Sequence, residues 1–307
     1  MISTHPKKDI YLGILLAVLA TIIWSGNFII SRGVSKQIGP VSLAFFRWLA
    51  ATVLLAPFAW KKFVAEKQVV KTNWKYLFWV SLTGITLFNT CVYVAGHFTT
   101  AINMALIGTT SSPIFATIFS VVFVKEKIGP FRLAGMLICI VGILILISHG
   151  SLQTLAAFRF STGDLWVLAG AFAFAVYSTL VRKKPVAISS LNFLFVVFAA
   201  GVLMLFPFFL IELFVNDPIQ WSFSLMGVIL YLGAGASIIS FLCWNIAIQK
   251  IGAGRTVLFG NLIPIFSALE AVWLLGEKIT NIHIISGALV IAGLLLANTV
   301  TKTSTSK

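Results

Sequence analysis

The chain is 307 residues long, 59% hydrophobic and only 10% charged, whereas soluble domains carry about 25% charged residues; that composition excludes an ordinary soluble enzyme. Apolar runs long enough to cross a hydrocarbon core, about 20 residues each, recur along the whole length and leave no room for a separate water-soluble domain. The formal net charge of +14 does not point to nucleic acid, because the basic residues sit in short stretches between apolar runs and not on one soluble face.

Taken in chain order, apolar runs bounded by turn and charge signals predict spans at Tyr11–Ile30, Val41–Trp60, Tyr76–Gly96, Ala101–Val124 and Phe131–Ser148. Five more follow at Asp164–Val181, Ser189–Phe214, Phe223–Ile248, Gly254–Leu275 and Ile282–Asn298. The first span follows Lys7 and Lys8, like the start of a signal peptide, but it lacks a small-residue cleavage site and is read as permanent. Cys91, Cys139 and Cys243 are isolated in apolar runs without a histidine at ligand spacing, so they read as packing residues and no metal or cofactor is expected.

Cytoplasmic loops hold the excess of Lys and Arg. Counted over alternate loops, one set holds seventeen: Lys7, Lys8, Lys61, Lys62, Lys67, Lys71, Lys75, Lys125, Lys127, Arg132, Arg182, Lys183, Lys184, Lys250, Arg255, Lys302 and Lys307. The other set holds four, Arg32, Lys36, Arg159 and Lys278, and Arg47 lies within the second span. Both termini are therefore expected in the cytoplasm of a cell with this chain in its inner membrane.

The chain also repeats itself. At an offset of 150, Gly13, Leu15, Arg32, Phe45, Leu55, Pro57 and Phe58 fall on Gly163, Leu165, Arg182, Phe195, Leu205, Pro207 and Phe208. After one inserted residue, Gly84, Pro113, Ile114, Phe115, Glu126, Lys127, Ile128 and Gly142 fall on Gly235, Pro264, Ile265, Phe266, Glu277, Lys278, Ile279 and Gly293. The fold expected is an all-α membrane protein of ten transmembrane helices in two five-helix repeats, residues 1–150 and 160–300. Because each unit has an odd number of spans, the second enters the membrane from the opposite side; inverted repeats of this kind build secondary transporters, with the solute site between them near the midplane.

Several side chains stand out against the apolar background. Pro113 and Pro264 occupy equivalent places near the middle of the fourth and ninth spans, where a proline frees the carbonyl four residues earlier, at Thr109 and Gly260. Such groups persist in a membrane only if protein, polar side chains or a wet cavity satisfies them; Thr109, Thr110, Ser111 and Ser112 lie beside one proline and Asn261 beside the other, so the solute site is expected there, a simple kink being the alternative. Arg47 and Glu270 are costly, at about 2.5 kcal/mol or more for a charge near the bilayer centre, and fall at matching depth, about 8 to 10 Å below the outer surface at 1.5 Å per residue. They are expected to pair or to face one cavity, with Glu270 coupling protons or holding a substrate ammonium, against the alternative of a structural pair. Trp24, Asn27, Asn89, Tyr93, Tyr177, Trp244 and Asn245 add rings and amides at interior depth, suited to an organic solute of mixed polarity, and Asn89 and Tyr93 share a helix face. Trp60, Trp74, Trp79 and Trp221 read as interfacial anchors. Gly135, Gly142, Ser286 and Gly293 read as close-approach positions, within one chain or in a homodimer, and Glu126-Lys127 and Glu277-Lys278 as loop anchors.

Ten spans in a duplicated unit, the segment Trp24 to Phe28, Arg47, and the runs Pro113 to Lys127 and Pro264 to Lys278 together resemble the EamA family of the drug/metabolite transporter superfamily, over almost the whole chain. The resemblance implies a permease that effluxes amino acids or related small organic metabolites by alternating access. It also implies a cavity lined by the first, third, fourth, sixth, eighth and ninth spans, hence by Trp24, Asn27, Asn89, Tyr93, Thr110, Tyr177, Trp244, Asn245 and Asn261. Glu270 is not part of the general family pattern. The alternatives are a lipid or drug flippase of the same superfamily, a channel, or an intramembrane enzyme. No phosphate-binding GxxxxGK[ST] loop is present for ATP, and His5, His97, His149 and His283 form no HExxH pair.

Overall fold

The computed structural model describes residues 7–124, 129–153, 161–181, 183–251, 256 and 259–297. Its helices run α1 (Lys7–Gly33), α2 (Pro40–Thr72), α3 (Trp74–Ala95), α4 (Ala101–Val124), α5 (Pro130–Ile147), α6 (Thr162–Val181) and α7 (Ser190–Val215). Then come α8, in consecutive pieces Phe223–Leu230, Tyr231–Ile239 and Ser240–Ile251, α9 (Gly260–Leu275) and α10 (Asn281–Ala297). Eight of these are long and apolar enough to cross a membrane and α9 and α10 are shorter apolar helices, so the chain is an all-helical, multi-pass membrane protein. Lys125, Glu126, Lys127, Ile128, Arg159, Arg182, Gly254, Arg255, Asn298, Lys302 and Lys307 lie outside the described residues.

Pro40 and Pro130 open α2 and α5 at a first helical turn, where a missing N–H costs nothing. Gly276, at φ 67°, closes α9 in the left-handed conformation open to glycine. One boundary differs from the sequence reading. The lysine-rich stretch after Trp60 is not a loop: α2 continues to Thr72, because a helix satisfies its own backbone in water as well as in lipid. This extension brings Glu66 to the start of α7, where its Oε2 accepts from Ser189 N (3.0 Å) and Asn192 Nδ2 (2.7 Å).

Other carboxylates do the same at the opposite end of the bundle. Glu212 accepts from the N–H groups of Val41 and Ser42 at the start of α2, and Glu277 from those of Ala101 and Ile102 at the start of α4. A helix N-terminus has N–H groups without intrahelical partners and a partial positive charge, so a carboxylate there contributes about 0.3–1 kcal/mol, or up to ~2 when partly buried. Glu277 thus anchors a loop, as its sequence position suggested.

The packing has a plan. α1 lies against α8 and α9, α6 lies against α3 and α4, α2 packs on α7, α5 on α10, and α4 on α9. Exchanging each helix with the one five places along maps this set of neighbours onto itself. The α5–α10 contact is the most extensive, and it uses the four small residues singled out above: a Cβ on Gly135 would stand 2.4 Å from the Gly293 carbonyl oxygen, and one on Gly142 would stand 3.1 Å from that of Ser286. The close approach is made within one chain.

Both α3 and α8 widen into π-helix, over Leu82–Leu87 and Tyr231–Ile239, segments that the 151-residue offset superimposes. In α8 the Ser237 and Ser240 hydroxyls donate to the carbonyls five residues back, Leu232 and Gly235. Such widened turns recur at functional sites because they re-aim side chains within a helix. Nothing in the apolar pattern announced them.

Candidate functional site

The most polar point in the interior is built around Arg47 on α2, 5% exposed. Its Nη1 donates to Asn27 Oδ1 on α1 (2.6 Å), and to Asn89 Oδ1 and Tyr93 Oη on α3 (both 2.8 Å). Its Nε donates to Ser237 Oγ on α8 (3.0 Å), and the Tyr93 hydroxyl in turn donates to Asn27 (3.1 Å). Asn89 and Tyr93 reach the guanidinium together because a spacing of four stacks them on one helix face; the π-segment of α8 supplies Ser237. The Trp48 ring lies 4.8 Å from the guanidinium carbon. Four helices are thus tied at one knot, and every partner in it is neutral.

Glu270 is not among them. Its Oε1 accepts from the Ser25 hydroxyl on α1 (2.7 Å), and its Oε2 is buried with no partner. The two charges therefore do not pair directly. Equal depth fixes height in the membrane but not direction around the helix. The two charges attach to α1 at Ser25 and Asn27, two residues and so about 200° apart. Tyr231 covers Gly26 between them, its hydroxyl donating to the Ile23 carbonyl (2.7 Å).

Among the described acids, Asp9 pairs with Lys250, and Glu66, Glu212 and Glu277 take helix N–H groups. Asp164, at the first turn of α6, accepts from the Thr99 hydroxyl (2.7 Å), and Asp217 lies in the α7–α8 turn. Two acids inside spans thus keep a buried oxygen without a partner, Asp164 (Oδ2) at the first turn of α6 and Glu270 (Oε2), which lies five residues from the end of α9 and away from any helix N-terminus. A buried polar atom left unpartnered calls for an explanation in water, ion or ligand.

The two prolines differ. Pro113 lies inside α4, and one turn around it Thr110 Oγ1 and Ser111 Oγ are buried without partners. At Pro264 the helix is interrupted: the described residues Thr256 and Phe259 are helical, Gly260–Leu262 form a 3-10 turn in which the Gly260 carbonyl accepts the Ile263 N–H, and Pro264 occupies the first turn of the α-helix that follows. The expected free carbonyl is thus absent, because a 3-10 bond closes it without using the proline nitrogen. Asn261 Nδ2 beside it is nonetheless buried and unpartnered.

Of the remaining residues, Trp24 donates through Nε1 to the Ala236 carbonyl (3.0 Å) and packs on Trp244, ring centres 5.1 Å apart, and on Phe241. Tyr177 packs on Phe174 and lies over Gly84, where a Cβ would come 2.2 Å from its ring. Asn245 stands apart on an exposed stretch of α8 with Leu242 and Ile246. Trp60, Trp74, Trp79 and Trp221 are all exposed. The three cysteines are buried and free, and no group of potential metal ligands occurs among the described residues. Sequence reading missed Ser25 and Ser237; both are hydroxyls within otherwise apolar spans, and Ser25 lies inside the Trp24 to Phe28 segment already singled out.

The model of the EamA-like transporter family matches this chain twice, over residues 11–148 and 161–299. An uncharacterized transporter of Archaeoglobus fulgidus is 29% identical over 92% of this chain and 96% of its own length. A probable amino-acid metabolite efflux pump of Salmonella typhimurium is 25% identical over 92% of this chain and 93% of its own. A solved crystal structure superposes with a TM-score of 0.65 at 18% identity, covering 96% of this chain and 98% of that one, a likeness of fold alone.

Proposed function

Given that the chain belongs to the EamA-like transporter family, we propose that it is a secondary transporter exporting amino acids or related small organic metabolites across the inner membrane. Residues 1–150 and 160–300 act as two inverted repeats that rock against each other, with both termini cytoplasmic. The observation that carries this reading is the packing plan, in which exchange of the two halves leaves the principal helix neighbours unchanged. Alternating access needs two nearly equivalent arrangements of one bundle, and internal pseudo-symmetry supplies them. The double match of the family model and the name of the Salmonella relative support it further.

The solute site lies between α1, α3, α4, α6, α8 and α9. Trp24, Tyr177 and Trp244 offer aromatic walls, Thr110 and Asn261 offer polar atoms that nothing in the fold satisfies, and Asn27, Asn89 and Tyr93 reach it through the Arg47 knot. Pro113 and Pro264 set the helix breaks around it, and Asn245 joins it when α8 moves. Glu270 carries the coupling proton, since its Oε2 is a buried carboxyl oxygen without a partner inside a span and, unlike Asp164, it lies away from a helix N-terminus. A single chain is the working unit, because the Gly135–Gly293 seam is used internally.

Counterflow of labelled leucine in proteoliposomes tests the function: saturable exchange is expected, and a flux that never saturates or an absence of exchange across the amino-acid set contradicts it. Glu270→Gln separates coupling from binding. Exchange should stay within about threefold of the unaltered protein while uptake driven by a pH gradient falls about tenfold or more. Retention of gradient-driven uptake removes Glu270 from the coupling role.

A further inference from the structure

We infer that Arg47 is the recognition point for a carboxylate on the solute, which binds by taking the guanidinium away from its neutral partners; this deepens the transport reading above and rests on it. Arg47 is the one buried basic side chain among the described residues. Among the described residues no carboxylate lies within ion-pair distance of it. A buried cation without a counter-charge is costly in a membrane and marks an ion or substrate path. The fold supplies acids at helix ends and beside Lys250, yet it puts none here.

The hydrogen-bond arithmetic leaves room for an anion. A guanidinium has five N–H donors, two of them on each terminal nitrogen. Three acceptors, Asn27, Asn89 and Tyr93, crowd on Nη1, which has only two hydrogens to give. Nη2 makes no hydrogen bond among the described residues. A carboxylate meeting the Nη1–Nη2 edge gains the unused donors of Nη2 and displaces a surplus neutral acceptor from Nη1. Charge-assisted, two-pronged bonds of this kind are about twice as strong as the neutral ones they replace. One isolated cation also sets the class of anion: it balances a single negative charge, as on a carboxylate, and not the charge of about −1.5 to −2 on a phosphate monoester.

The displacement has a mechanical consequence. Asn27, Asn89 with Tyr93, and Ser237 belong to α1, α3 and α8, so drawing the guanidinium toward a solute loosens the tie among the helices that meet at this knot. Binding and opening then become one event, with the solute's charge as the signal.

The test uses purified full-length protein and solute pairs that differ only in acid against amide: leucine and leucinamide, phenylalanine and phenylalaninamide, 4-methylpentanoate and 4-methylpentanamide, with a phosphate monoester as a separate arm. Binding is read by calorimetry or by shift of the melting temperature. The acid should be favoured about ten- to a hundredfold in at least one pair, and Arg47→Gln should bring that pair within about threefold. Tyr93→Phe removes a competing acceptor and should raise the ratio of acid to amide binding, which a purely structural arginine would not produce. If Arg47→Gln does not fold, Arg47→Lys should retain the acid preference in weakened form, and the ratio in the unaltered protein still decides. Equal binding of acid and amide in every pair, binding of no acid, or preference for the phosphate overturns the inference. Carriage of amides or amines without carboxylates would overturn it and leave the transport reading standing; acid preference without any solute flux would do the reverse.

Discussion

The same positions in the two halves are used in different ways. Asn27, Arg47, Asn89 and Tyr93 close on one another and on Ser237 of α8. The repeat register places Tyr177, Val197, Ser240 and Trp244 opposite the first four, and Thr86 opposite Ser237. These do not converge: Tyr177 packs on Phe174 and over Gly84, Trp244 packs on Trp24, and Ser240 bonds within its own π-turn. One half is thus tied by directional hydrogen bonds around a charge and the other carries apolar and aromatic surface. Under the proposed inversion these lie toward opposite membrane faces, and under the proposed alternating access one face would open by exchanging polar partners and the other by sliding rings past each other.

Removing the centre of the polar knot should have the largest effect. Arg47→Met leaves Asn89, Tyr93 and Ser237 without their donor and Asn27 with the Tyr93 hydroxyl alone, and buried groups left unpaired cost about 1–3 kcal/mol each. A loss of about 3 kcal/mol or more is expected in unfolding measurements in detergent, whereas Val197→Met at the equivalent position should stay within about 1.5 kcal/mol as an apolar exchange. Equal effects at the two positions would erase the contrast.

The seam between α5 and α10 comes next. A Cβ on Gly293 would stand 2.6 Å from Cys139 Sγ and from the Gly135 carbonyl, and backbone cannot yield as a side chain can. Gly293→Ala should cost about 1–3 kcal/mol by overpacking. Glu212→Gln should cost about 0.3–1 kcal/mol, since it removes the charge at the start of α2 but keeps an acceptor; chemical denaturation of both variants orders the two effects.

The smallest effect concerns pH. His97, in the turn between α3 and α4, is held below the usual histidine range, first by burial and further by the positive charge of Arg32, against an opposing pull from Glu212. A group whose folded-state affinity for protons is lowered favours folding above its unfolded pKa, about 6.5, and that contribution is lost as the pH falls through and below it. His97→Gln should therefore flatten the decline in melting temperature between pH 7.5 and 5; an unchanged slope assigns the decline elsewhere.

Much of the fold was legible, because a membrane forces long apolar runs to be helices and charges to mark their ends. The α2 extension was hidden for the same reason: Lys61 to Lys71 look like a loop to a reader who equates charge with a boundary. At the site, Arg47, Asn27, Asn89 and Tyr93 were each visible as costly residues, and Asn89 with Tyr93 even as a pair. Their convergence was not visible, since it depends on the rotation of four helices about their axes. Depth alone suggested that Glu270 meets Arg47, and the azimuth of Ser25 and Asn27 on α1 decides otherwise. Pro264 matches Pro113 in sequence but not in backbone, because Gly260 and Asn261 permit a 3-10 turn before it.

The central claim is that the halves are inverted, and Lys36 with Val186 tests it most directly. They are equivalent by the 150-residue offset, both are exposed in turns, and the native cysteines are buried. With a membrane-impermeant maleimide on intact cells, Lys36→Cys should label at once and Val186→Cys only after the membrane is opened. Labelling of both from the same side would contradict the account.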